Sequence, residues 1–138
     1  MIPTPSTPEF TPRNPPGIAP AVGNYSHALE VPPGHRLLFI SGQVPERADG
    51  AVPEGFDAQC HAAWDNVLAA LAAAGMTTAN LVKVTAYLTD RDQAEANSRI
   101  RQERLGDVAP ALTVIVAMTL SSAWLLEIEA VAAGPSDG

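Results

Sequence analysis

The sequence predicts an α+β domain in which one mixed sheet carries two helices on one face. Three observations lead there. Residues 56–71 repeat apolar side chains at helical spacing, residues 81–89 alternate apolar and polar with period two, and the strand-like and helical segments follow one another as β-β-α-β-α-β-β. A chain of 138 residues buries one core, and 46% hydrophobic with 17% charged residues is the composition of a globular chain that folds without metal or disulfides.

Seven of the thirteen prolines fall in residues 1–20, which removes backbone donors and predicts an extended N-terminal arm. The domain proper is expected over residues 21–134, with a short tail over 135–138. Residues 25–31 have strand character, Pro32, Pro33 and Gly34 a turn, and residues 36–41 a second strand, together a predicted hairpin. Residues 42–55, rich in Gly, Pro and acidic side chains, suit a surface loop.

The first helix follows, with Phe56, Cys60, Ala63, Trp64, Val67, Leu68 and Leu71 on its apolar stripe and Gly75 as its C-terminal cap. In the strand after it, Val82, Val84, Ala86 and Leu88 share one face, and Lys83, Thr85, Tyr87 and Thr89 the other. Asp90 or Asp92 is positioned to cap a second helix that runs to about Leu105, with Ala94, Ile100 and Leu105 inward, and Gly106 ends it. Two last strands are predicted over residues 113–118 and 124–132.

With 15 acidic and 8 basic residues the formal charge is −7, a poor match for nucleic acid. Cys60 is the only cysteine and sits among apolar residues, as expected of a packed thiol in a reducing cytoplasm. His27, His35 and His61 have no spacing that gathers them, so no metal site is expected, and no glycine-rich phosphate motif calls for a nucleotide cofactor. Nor does any window approach the ~18 apolar residues of a membrane span.

Four segments carry a family resemblance. Gly23-Asn24-Tyr25-Ser26-His27-Ala28, Ile40-Ser41-Gly42-Gln43-Val44-Pro45, residues 81–90, and Leu126-Glu127-Ile128-Glu129-Ala130-Val131-Ala132 resemble, in order and spacing, the signatures of the Rid (YjgF) family. The resemblance implies a chorismate-mutase-like fold, a homotrimer, and a small-metabolite cleft between neighbouring subunits. In the family's deaminases an arginine in a Pro-Ala-Arg segment pairs with a substrate carboxylate and a glutamate on the last strand helps activate water. The matching segment here is Pro110-Ala111-Leu112-Thr113, so Leu112 stands in the arginine's place while Glu127 keeps the glutamate's. Tyr25, Ser41, Gly42 and Asn97 match other cleft-lining positions.

Leucine offers a carboxylate no donor, whereas a bidentate arginine is the strongest specific handle for one. The resemblance therefore implies not a standard 2-aminoacrylate deaminase but an enzyme on another imine, enamine or related carbonyl-derived metabolite, with Glu127 as acid and base. The alternative from another class is a non-catalytic metabolite-binding trimer; a ribonuclease suits the acidic chain least. Several residues keep two readings. Tyr25 packs at a strand start or lines the cleft, Ser41 and Gly42 form a turn or a ligand-facing backbone, and Asn97 holds a loop or a ligand. Trp124, placed at the opening of the last strand, walls the cleft or plugs a subunit contact. Glu129 is read as structural or at the rim.

Overall fold

The computed structural model describes residues 10–136. Most of the first half of the expected arm, residues 1–9, lies outside the described residues, as do 137 and 138. The chain order is β1 (Thr11–Arg13), β2 (Ala28–Glu30), β3 (His35–Gln43), α1 (Phe56–Ala73), β4 (Leu81–Leu88), α2 (Ala94–Leu105), β5 (Ala111–Val116) and β6 (Leu126–Pro135), with 3₁₀ turns ahead of β4 and α2. Four strands form a mixed sheet in the order β3-β6-β4-β5, antiparallel except for the parallel pair β4 and β5. Both helices cover one face, which is the predicted α+β architecture.

The predicted hairpin is corrected. β2 does not pair with β3; it pairs with β1 of the arm, Thr11 opposite Glu30 and Arg13 opposite Ala28, in a separate two-stranded ribbon. β3 instead lies along β6 from His35 opposite Pro135 to Gln43 opposite Ile128. Pro32 and Pro33 remove two donors at the turn, and β6 offers β3 a long partner with a buried face. The last strand also starts later than predicted. Trp124 donates its backbone N–H to the Ser121 carbonyl at 3.1 Å, so a turn consumes it and β6 opens at Leu126. At its other end β6 takes in Pro135, the first residue of the expected tail. β5 begins two residues earlier than predicted, at Ala111.

The predicted caps are in place. Gly75 adopts φ +70° and donates to the Ala72 carbonyl, while Met76 donates to that of Leu71, the two bonds of a Schellman motif. Asp90 accepts from Asp92 N–H at 2.8 Å and Gln93 reaches back to Asp90 N–H at 3.2 Å, a capping box ahead of α2. Ala94 is exposed, not inward as predicted; Asn97, Ile100, Arg101 and Leu105 are the buried residues of this helix. Trp64, Val67 and Leu71 of α1 and Ile100 of α2 meet Leu126 and Ile128 of β6 in the core, all at 1% exposure or less. Among the described residues no helix is long and apolar enough to cross a membrane.

Candidate functional site

Register and burial sort the sheet into two faces. Val84, Ala86 and Leu88 of β4 lie beside Leu126, Ile128 and Ala130 of β6 under the helices. On the open face Lys83, Thr85 and Tyr87 stand beside Val131, Glu129 and Glu127. Leu37 and Phe39 of β3 extend this open face, and Phe39 is 73% exposed.

Between Ile40 and Gln43 the pairing of β3 with β6 slips, so Ser41 and Gly42 form a bulge at the open face. A bulge frees backbone from the ladder, and glycine lets a neighbour approach. Glu127 uses that room: a methyl group on Gly42 would lie 2.7 Å from the Glu127 carboxyl carbon. The structure thus brings Ser41, Gly42 and Glu127 together. Asn66 of α1 anchors the loop after the bulge by donating to the carbonyls of Val44 at 3.0 Å and Glu46 at 3.1 Å.

The two carboxylates of β6 differ in their surroundings. Glu129 accepts a short hydrogen bond from the Tyr87 hydroxyl. This bond first, then burial and the charges of Glu129 and Glu127, hold the Tyr87 phenol above its ordinary range. Among the described residues Glu127 has neither a side-chain hydrogen bond nor an ion pair. Glu129 also lines a hollow of about 440 Å³ on the open face with Phe39, Ser41, Lys83, Thr85 and Val131.

The other candidate residues lie across the sheet. Leu112 pairs with Val84, on the helix side, and packs against the core cluster. Within one chain it is therefore on the opposite face from Glu127, and the two do not meet. Tyr25 sits beside the start of β5: Ser26 bridges to Ala111, donates its N–H to the Pro110 carbonyl at 3.1 Å, and its hydroxyl binds the Ala109 carbonyl at 2.8 Å. The Tyr25 ring meets that of His27 edge to face at 5.7 Å. Asn97, 2% exposed, faces inward from α2. Trp124 lines a separate hollow of about 200 Å³ with Thr89, Met118 and Leu125, and its carbonyl accepts from the Thr119 hydroxyl at 2.8 Å.

Two residues that pattern reading passed over shape this region. Gln59, 4% exposed on α1, donates to the carbonyls of Pro53 and Ala123, both at 3.0 Å, and accepts from Leu125 N–H at 2.8 Å. It ties the approach to β6, and so to Glu127, onto α1. Its signal in the sequence was a polar residue one position before the apolar Cys60. Arg101 is the second, a charge 8% exposed on the inward side of α2, one turn from Asn97.

The histidines are held apart. The His27 ring sits 2.6 Å from the Ala19 carbonyl, that of His35 2.8 Å from the Pro32 carbonyl, and His61 receives the Arg104 guanidinium. Burial pushes the Cys60 thiol up to about 12, with Asp57 adding and the nearby arginines opposing. Cys60 is thus a packing group.

Comparison with known proteins fits this fold. The family described as Endoribonuclease L-PSP matches residues 17–134. A RutC family protein of Aquifex aeolicus is 39% identical over 116 residues, which cover 80% of this chain and 89% of its own. The structure of YyfB, a Rid family protein of Yersinia pestis, superimposes with a TM-score of 0.79 at 29% identity, over 89% of this chain and 97% of that one. E. coli TdcF, solved with bound serine, gives a TM-score of 0.67 at 26% identity, over 83% of this chain and 91% of that one.

Proposed function

Because the chain belongs to the Endoribonuclease L-PSP family, with RutC and Rid proteins among its relatives, we propose that it hydrolyses or tautomerises a small imine, enamine or related carbonyl-derived metabolite, using Glu127 in proton transfer. The observation that carries this reading is the contrast on β6: Glu129 is engaged by Tyr87, while Glu127 lies unpaired against the Gly42 backbone. A carboxylate without a partner beside a bulged backbone is placed to take a proton and return it.

In the hydrolytic form, Glu127 accepts a proton from water as the water oxygen bonds to the imine carbon and the C=N electron pair moves to nitrogen. The same proton passes to the nitrogen and gives a carbinolamine. Glu127 then takes the carbinolamine hydroxyl proton and hands it to the amino group as the C=O bond forms and the C–N bond breaks, so that ammonia and a carbonyl compound leave. Ser41 and Gly42 fix a polar end of the ligand beside Glu127.

The sheet supports a site shared between copies. Ser41, Gly42 and Glu127 belong to one side, and Asn97 and Leu112 to the other, while Tyr25 lies beside the start of β5 and is assigned to the half that holds Asn97 and Leu112. A single small ligand touches both sets only where the open side of one chain meets the helix side of a second, and a homotrimer closes such a contact around a threefold axis. We place the protein in a reducing compartment, the cytoplasm. A ribonuclease reading suits the chain least, since 15 acidic against 8 basic residues give it a formal charge of −7 that repels a phosphate backbone.

The test is Glu127→Gln, which keeps size and removes ionisation. Imines without a 2-carboxylate, generated in place from primary amines by a flavin amine oxidase, serve as substrates, with ammonia release as the readout. The variant is expected to lose about 10² or more in rate while sedimentation stays unchanged. Equal activity of parent and variant would sink the assignment and leave the metabolite-binding trimer as the better account.

A further inference from the structure

Among the described residues, Arg101 is the one guanidinium of α2 without a carboxylate partner. Arg99 pairs with Asp57 at 2.9 Å and Arg104 with Asp65 at 2.8 Å, both toward solvent. Arg101 is turned inward, 8% exposed, and its single side-chain hydrogen bond is a long one from Nη2 to the Ser98 hydroxyl at 3.3 Å. Nη1 is buried and, among the described residues, reaches no acceptor. Burial pulls the guanidinium below its ordinary range, opposed by Cys60 and Tyr25. Guanidinium does not give up its proton in a protein, so a buried one without a counter-charge is a standing electrostatic deficit that an anion would relieve. Trp64 Nε1 is also buried without an acceptor, but a neutral donor creates no such demand.

Position adds a second argument. Asn97 lies four residues before Arg101, so both project from the same side of α2, and Asn97 is itself buried, at 2% exposure. Tyr25, beside the start of β5, is within electrostatic reach of the same guanidinium. Two of the candidate cleft residues thus lie near a cation that has no carboxylate partner among the described residues, on the helix that covers the side of the sheet carrying Leu112.

We infer that Arg101 is an anion-binding residue that holds the carboxylate of a small metabolite from α2, the task that Leu112 has no group to perform from β5. The ligand is then still an acid, with its carboxylate gripped from a different element. That placement favours compounds whose carboxylate stands further from the reacting carbon than in a 2-imino acid. The inference shares the cleft of the proposed function but not its chemistry, so the two fail separately.

The probes are pyruvate, 2-oxoglutarate and glutarate, added to the intact protein with the arginine Nε–H resonances observed by NMR and affinity measured by calorimetry. Saturable movement of the Arg101 resonance is expected, strongest with the longer acids. Arg101→Met should weaken binding at least tenfold and leave or raise the melting midpoint, since it replaces a buried unpaired charge by an apolar side chain. Arg101→Lys should retain part of the affinity, which keeps the test open if the Met variant folds poorly. Probe binding is read on the parent without turnover, so its outcome stands whether or not the Glu127 assignment does. An Arg101 resonance unmoved by all three acids overturns the inference. So does an Arg101→Met variant that binds them like the parent, or one that only dissociates the oligomer, which would make Nη1 a contact between copies.

Discussion

Glu127 and Glu129 share a strand and a face, yet their neighbours give them different chemistry. Period two shows that both point one way; it does not show that Tyr87 will bind one of them, because that partner comes from another strand whose register is set by the whole sheet. The same limit hid Arg101, a charge that reads as solvated until α2 is docked, and Gln59, whose three bonds reach loops far along the chain. Gly42 yields the sharpest test at this scale. Gly42→Ala sets a methyl group 2.7 Å from the Glu127 carboxyl carbon, and the atoms it meets end a flexible side chain. The fold is therefore expected to lose only about 1 kcal/mol while turnover falls at least tenfold, measured by thermal melting beside the ammonia assay. A variant that melts like the parent and works like it would mean that the Glu127 position is not needed.

Cys60 gives a prediction in pH. Its folded thiol is raised from 9.0 to about 12, chiefly by burial, so folding favours the protonated form. The stability this represents is fully present below pH 9 and is lost as pH rises from there through about 12. At 1.36 kcal/mol per unit the total is roughly 4 kcal/mol. Urea unfolding midpoints at pH 8 and 10.5 should fall more for the parent than for Cys60→Ala, and an equal fall in both would contradict the burial argument.

At the scale of elements, those with local chemistry were legible. The apolar stripe and Gly75 define α1, Asp90 and Gln93 open α2, and alternation marks β4. The hairpin failed because strand character names no partner: β3 had two possible mates, and β6, long and buried on one face, is not its neighbour in sequence. Trp124 was misplaced for a related reason, since its apolar ring reads as strand while Ser121 turns the backbone. Gln59→Leu should release this connection. Removing three bonds to partly buried backbone groups is expected to cost on the order of 2 kcal/mol and to raise amide exchange at Leu125 and Leu126 ahead of exchange in β4. Uniform exchange would show that the glutamine does not hold the approach to Glu127.

At the scale of the molecule, one chain leaves too much apolar surface in water. Phe39 and Leu37 stand out from the open face, and Ile115, Val116, Met118 and Leu120 follow one another along β5 and the loop beyond it. Together with the division of candidate residues by the sheet, this argues for association and for a site that no single chain completes. Sedimentation should give a trimer, and Phe39→Asp a smaller species. The stronger test asks whether the site crosses between copies. Glu127→Gln disables the open-side half and Tyr25→Ala the helix-side half, so each variant alone should have little activity. If the halves come from different chains, unfolding and refolding the two together at equal amounts mixes them at random. A site works when the copy giving Glu127 is the Tyr25→Ala chain and the copy giving Tyr25 is the Glu127→Gln chain, and chance makes about a quarter of sites so. Activity should therefore return to about a quarter of the parent level after co-refolding, and not after simple mixing of preformed trimers. If both halves came from one chain, no combination of the two variants would contain an intact site, and the co-refolded mixture would stay as inactive as its components.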